Sequence, residues 1–241
     1  MEKGESLRML NRGVLKGIAA AAMLIDHIGW RFFPFSSPTA QLFHVIGRVT
    51  LPVMCFFLAE GYAHTCSKKK YVLRLFLFAL LSQVPYALFK GNSWDALDLN
   101  VIFTLLFCFV SVLSYDRIQN NMLRWAAILG CIMATLWCDW PVTAVLFTLV
   151  FWVCREEEEK RTAAFCTVAA FYFCFTLFEA FSAGIGFIPS LLSSLYTLGV
   201  FLALPLILFY SGRKGRFLEG RTGRWVYYIF YPAHLLALSL L

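Results

Sequence analysis

The sequence predicts an all-α fold, a polytopic helical bundle in a membrane, and three observations predict it. Of the 241 residues, 60% are hydrophobic and 15% charged, against about 45–50% and about 25% in soluble domains. The apolar residues gather in nine runs, near 14–34, 41–65, 71–90, 100–116, 122–137, 140–154, 162–182, 188–210 and 225–241. A helix needs roughly 20 such residues to cross a bilayer. The basic residues fall in alternate connections: 18 of 21 lie on the side that holds the N-terminus, and this bias marks cytoplasmic loops. About nine spans follow, with the N-terminus inside and the C-terminus outside.

The first run is preceded by Lys3, Arg8, Arg12 and Lys16, as a signal peptide would be. It continues through Asp26-His27 to Phe35 without a small-residue cleavage site, which makes it a retained first helix. The second run carries His44, Arg48, Glu60 and His64. Lys68-Lys69-Lys70 and Arg74 open the third, and Asn100 and Thr104 the fourth. The fifth and sixth are short and divided by Cys138-Asp139-Trp140-Pro141, so they form two spans or a broken, re-entrant pair; proline there ends a helix. The seventh ends near Glu179, the eighth is unbroken by charge, and the last crowds Tyr227, Tyr228, Tyr231, Pro232 and His234 together. No connection is long enough for a separate domain, so residues 1–241 read as one.

Composition excludes several functions. The net charge of +7 resides in short connections rather than in a basic tail, which argues against nucleic acid. The eight cysteines lie mostly in apolar runs without metal-ligand or redox spacing, so no metal and no disulfide is expected. No Walker or GxGxxG pattern is present, which argues against work driven by ATP.

What remains is a set of ionisable groups inside apolar runs, where each costs a few kcal/mol. Lys16 and His27 are eleven residues apart on one helix, roughly 16 Å. This spacing suits an anionic donor held at the inner mouth and a general base deeper in; a topology anchor and a packed bundle histidine would look the same. Asp26 sits about 100° round the helix from His27 and is expected to pair across to another helix, with Arg48 the first candidate. His44 and Arg48 share a face at i,i+4. A structural ion pair explains these three as well as catalysis does. Lys70 and Arg74 also share a face and suit phosphate groups or anionic lipid. Asn100, Glu60, His44, Tyr231 and His234 are candidate acceptor-side or cavity residues, and Asp139 marks an outer turn.

Taken in order, the segments LKGIAAAAMLIDHIGWRFFP, IGRVTLPVMCFFLAEGYAHT, KKKYVLRLFLFALLSQVPY, NVIFTLL, CDWP and YYIFYPAHL resemble the TraX family. That family is associated with pilin acetylation and is similar to the wider superfamily of membrane acyltransferases that use acetyl-CoA. The resemblance covers nearly the whole chain. It implies a multi-pass acetyltransferase of a bacterial cytoplasmic membrane, with cytoplasmic acetyl-CoA as donor and an unidentified acceptor on the outer side. His27 would be central, as base or as acetyl carrier, and Asp26 or Asp139 would orient it. Lys16, Lys70, Arg74 and Arg48 would hold the donor. The superfamily core is drawn with ten spans, one more than the runs here. Two alternatives stay open: a secondary transporter or flippase, and a non-catalytic membrane partner of a secretion or pilus assembly.

Overall fold

In hydrocarbon every backbone N–H and C=O must be bonded within its own segment, so an apolar run becomes helix, and all nine runs hold helix. The computed structural model describes residues 9–91, 98–184, 186–213, 215 and 220–241, except for the side chains of 220–224. Lys3, Arg8, Asp95, Lys214 and Arg216 lie outside the described residues, as do the side chains of Arg221 and Arg224.

Among the described residues eleven α-helices follow in order: α1 Arg12–Phe32, α2 Pro38–Gly47, α3 Thr50–His64, α4 Lys68–Phe89, α5 Val101–Arg117, α6 Asn121–Ala134, α7 Thr143–Val153, α8 Glu158–Ser182, α9 Phe187–Ser194, α10 Ala203–Leu208 and α11 Gly220–Ser239. Among the described residues, five helical stretches are long and apolar enough to cross a bilayer: Arg12–Phe32, Pro38–His64, Lys68–Phe89, Glu158–Ser182 and Phe187–Leu208. The chain is therefore a multi-pass membrane protein. The second of these stretches bends at Arg48-Val49, between α2 and α3. The fifth joins α9 to α10 through a 3₁₀ segment, Leu195–Leu202. The fifth and sixth runs form short helices of 14 and 11 residues.

The chain divides into two compact units. One comprises Met1–Met54 with Thr162–Ile229, the other Cys55–Arg161 with Phe230–Leu241. In the first, α1 packs on α2, and α2 packs on the 3₁₀ segment. Gly199 makes the second contact possible: a side-chain carbon there would collide with the main-chain carbonyl of Val45. The foot of α1 is pinned by main-chain bonds, from Leu10 N to Phe209 O (3.0 Å), Ser211 N to Leu10 O (2.9 Å) and Arg12 N to Arg213 O (3.1 Å). Asn11 caps α1 by accepting from Val14 N. Thr50 Oγ1 donates to Ala19 O at 3.0 Å and ties the start of α3 to α1.

In the second unit α5 is central, packed by α4, α6 and α7. A helix apolar all round belongs in an interior, and ten of its residues are buried, from Ile102 to Ser114. The turn before α7 closes by a short parallel bridge between Leu99 and Cys138. Trp140 and Val142 take φ of 61° and 59° there, a conformation unfavourable for a β-branched residue.

Candidate functional site

Asp26 lies on α1 and is 8% exposed. Two glycines, Gly29 on α1 and Gly47 on α2, let α2 approach it. A side-chain carbon on Gly29 would stand 3.0 Å from Phe43 Cβ, and one on Gly47 would collide with the Asp26 side chain itself. This is how small residues admit close packing between membrane helices. At the contact, His44 Nδ1 donates to Asp26 Oδ1 at 2.7 Å, and Arg48 Nη1 donates to Asp26 Oδ2 at 3.2 Å. His44 is fully buried and Arg48 is 5% exposed. The expected pairing of Asp26 across to Arg48 is therefore present, and its second oxygen is taken by His44 rather than by His27.

A carboxylate oxygen only accepts, so Nδ1 is the donor in this contact. His44 Nε2 is buried and has no hydrogen-bond partner. Aromatic rings wall the imidazole: Trp30 at 4.4 Å, Phe35 at 5.6 Å and Tyr196 at 6.0 Å between ring centroids. Trp30 and Phe35 stack on each other at 5.3 Å, and the Arg48 guanidinium lies over Tyr196 at 4.6 Å. Trp30 is about half exposed, so the imidazole is separated from the surroundings by the depth of one ring. A carboxylate, an oriented imidazole and an apolar wall together can take a proton from a substrate and hold the resulting imidazolium.

The remaining candidates fall elsewhere. His27 is half-buried, one residue on from Asp26, with Nδ1 bonded to Met23 O at 2.8 Å. Lys16 lies 5.6 Å from the centroid of the Tyr227 ring, and Tyr227 OH donates to Gly13 O. Arg48, expected to help hold a donor, is engaged with Asp26. Lys70 and Arg74 belong to the second unit. Lys70 is exposed at the first turn of α4, where Ser67 caps its amide, and Arg74 lies over Tyr71 at 4.6 Å.

Asn100 is fully buried and caps α5 through Ile102 N, while its Nδ2 donates to Ala79 O and to Gln83 Oε1. That role is structural. Asp139 closes the turn with its main chain: its amide donates to Leu99 O at 2.9 Å, and its carbonyl accepts from Thr104. Glu60 is half-buried on α3. His234 Nδ1 bonds Phe230 O at 2.8 Å, and Tyr231 is buried beside it at 5.7 Å between rings. Trp30, Phe35, Tyr196 and the glycines at 29 and 47 were not singled out from the sequence. Trp30 could have been found, since it lies four residues after Asp26 on the same face of α1.

Comparison with known proteins places this geometry in context. The family model described as "TraX protein" matches residues 11–241. The "Probable fimbrial assembly protein FimC, serogroup H1" of Dichelobacter nodosus is 32% identical over 230 residues, which cover 92% of this chain and 91% of that protein. No solved structure matches.

Proposed function

Because the chain belongs to the TraX family, we propose that it is a membrane acetyltransferase of a pilus or fimbrial assembly system. It would take the acetyl group from acetyl-CoA and deliver it to an acceptor on the outer side of the membrane. The observation that carries this is the buried Asp26–His44 pair with an unpartnered Nε2. A structural ion pair needs only Asp26 and Arg48. Adding a buried imidazole whose second nitrogen bonds nothing costs about 1–3 kcal/mol, and such exceptions gather where chemistry needs them.

His44 Nε2 takes the proton of the acceptor amine or hydroxyl as that atom attacks the thioester carbonyl. The new C–N or C–O bond forms, the C–S bond breaks, and the imidazolium returns its proton to the departing thiolate. Asp26 fixes the tautomer and stabilises the imidazolium. Arg48 holds the second carboxylate oxygen so that the first stays aimed at Nδ1. Lys16, on the same helix as Asp26, is the donor-phosphate candidate of the first unit. His27 is the rival base, and a non-catalytic assembly role is the second reading, favoured by the description of the Dichelobacter relative as a fimbrial assembly protein.

The test follows thiol release from acetyl-CoA by membranes that hold the protein, with a cell-envelope fraction as acceptor. A positioned base contributes roughly 10²- to 10⁴-fold. His44→Gln should lower kcat by at least about a hundred-fold, while stabilisation of the purified protein by acetyl-CoA persists. Full transfer by His44→Gln with loss in His27→Gln would return the base to His27. No turnover and no stabilisation of wild type by millimolar acetyl-CoA would leave the assembly role.

A further inference from the structure

We propose that the groove between α4 and α5 binds an anionic phospholipid, with its phosphate among Lys68, Lys69 and Arg117 and one acyl chain along the groove. The groove has a volume of about 540 Å³, well within the range of small-molecule sites. Three of its lining residues are those cations, and the others are Val72, Leu73, Phe76 and Leu113. Lys69, Leu73 and Phe76 recur on one face of α4, and Leu113 and Arg117 on one face of α5. The cations therefore sit together where α4 begins and α5 ends, and the apolar residues follow beyond them.

Lys68 is fixed in place, because it donates to the Tyr62 carbonyl and lies 3.8 Å from the Tyr62 ring centroid. Asp116 lies beside the cations; it forms an ion pair with Arg117 at 3.3 Å and accepts from Tyr62 OH at 2.7 Å. The groove's lining holds three cations and no carboxylate, which favours a phosphate. Leu73 and Phe76 are 57% and 42% exposed, so the groove is open along its length to a chain from the bilayer. Basic pockets between membrane helices bind acidic headgroups in this way.

The lining also separates a lipid from acetyl-CoA. The pantetheine arm carries two amides that need hydrogen-bond partners when buried. Beyond the cations this groove offers only hydrocarbon, which an acyl chain fills without loss. The inference is independent of the acetyltransferase reading, because it concerns residues that reading does not use.

The test counts lipid adducts by native mass spectrometry of the detergent-purified protein, titrated with phosphatidylglycerol and with phosphatidylcholine of the same chains. One phosphatidylglycerol should saturate at a concentration at least about ten-fold lower than phosphatidylcholine. Each cation contributes roughly five-fold, so Lys69→Gln with Arg117→Gln should weaken that adduct about 25-fold. Both side chains are exposed, so the double variant should melt with the wild type. Leu113→Trp, which fills the groove, should remove the tight adduct with every cation in place. Equal binding of the two lipids, or unchanged phosphatidylglycerol binding in the double variant, would overturn the proposal. One-for-one displacement by acetyl-CoA would also overturn it and make the groove a donor site.

Discussion

Replacing Asp26 with asparagine tests whether the buried pair holds α1 to α2. The change keeps the side-chain volume and removes the charge. Two charge-assisted bonds are affected, from His44 at 2.7 Å and Arg48 at 3.2 Å, and such bonds contribute about 1.5–3 kcal/mol each. The larger loss is that Arg48, 5% exposed, keeps its charge in an apolar setting without its carboxylate. Breaking one side of a buried pair costs about 3–5 kcal/mol, a large part of a typical total of about 5–15 kcal/mol. At about 2–4 °C per kcal/mol for a chain of this size, the melting temperature should fall by about 6–20 °C. The assay is thermal unfolding in detergent, followed by tryptophan fluorescence, for Asp26→Asn, Arg48→Met and the double variant. The two single losses should exceed the double loss by at least about 1 kcal/mol, since residues in contact are not additive. Additive losses, or a single loss below about 1 kcal/mol, would refute the assignment of Asp26 and Arg48 as one unit.

Gly199→Ala should lower the melting temperature by several degrees, because the added carbon meets the Val45 carbonyl, and rigid overpacking costs about 1–3 kcal/mol; an unchanged melt would contradict the close approach. Asn100→Ala should cost about 2–3 kcal/mol, combining a lost cap with two buried bonds, and urea unfolding would read it. Val142→Gly should be neutral or stabilising by about 1 kcal/mol, since φ of 59° suits glycine. Cys66 is exposed between α3 and α4, on a connection that the distribution of lysines predicts to be cytoplasmic. A membrane-impermeant maleimide should therefore label it only after cells are opened, whereas labelling of intact cells would invert the orientation. Cys138, whose thiol burial pushes up to about 11, should stay unlabelled at neutral pH in both cases.

The helices were legible because lipid leaves an apolar run few choices, and their limits fall close to the runs, α4 at Lys68–Phe89 against 71–90 for example. The bend at Arg48-Val49 was legible only in part. Pro52, which has no amide to bond Arg48 O, marks a break there, but the run reads as one unbroken span, and Gly47 gains its meaning only from Asp26 on another helix. The partner of Asp26 was half legible: helical spacing placed His44 and Arg48 on one face, but only the approach of α2 shows that His44 takes the first oxygen. His27, singled out by its spacing from Lys16, turns its Nδ1 to the backbone of its own helix. The aromatic wall was invisible because Tyr196 arrives from a segment some 150 residues downstream, and no local pattern encodes that encounter.

The pin at the foot of α1 has a consequence for the order of assembly. Asp26 meets its two partners 18 and 22 residues later in the chain, so the helical pair that neutralises it can close as soon as α2 leaves the ribosome. Leu10, by contrast, bonds Phe209, and the intervening residues build most of the second unit. The first unit is thus begun first and finished late. Its buried charge is covered early, while Phe209 must return to a segment made about 200 residues before it. A truncation before residue 209 should therefore yield a chain that inserts α1 and α2 together yet leaves Leu10–Arg12 open to protease.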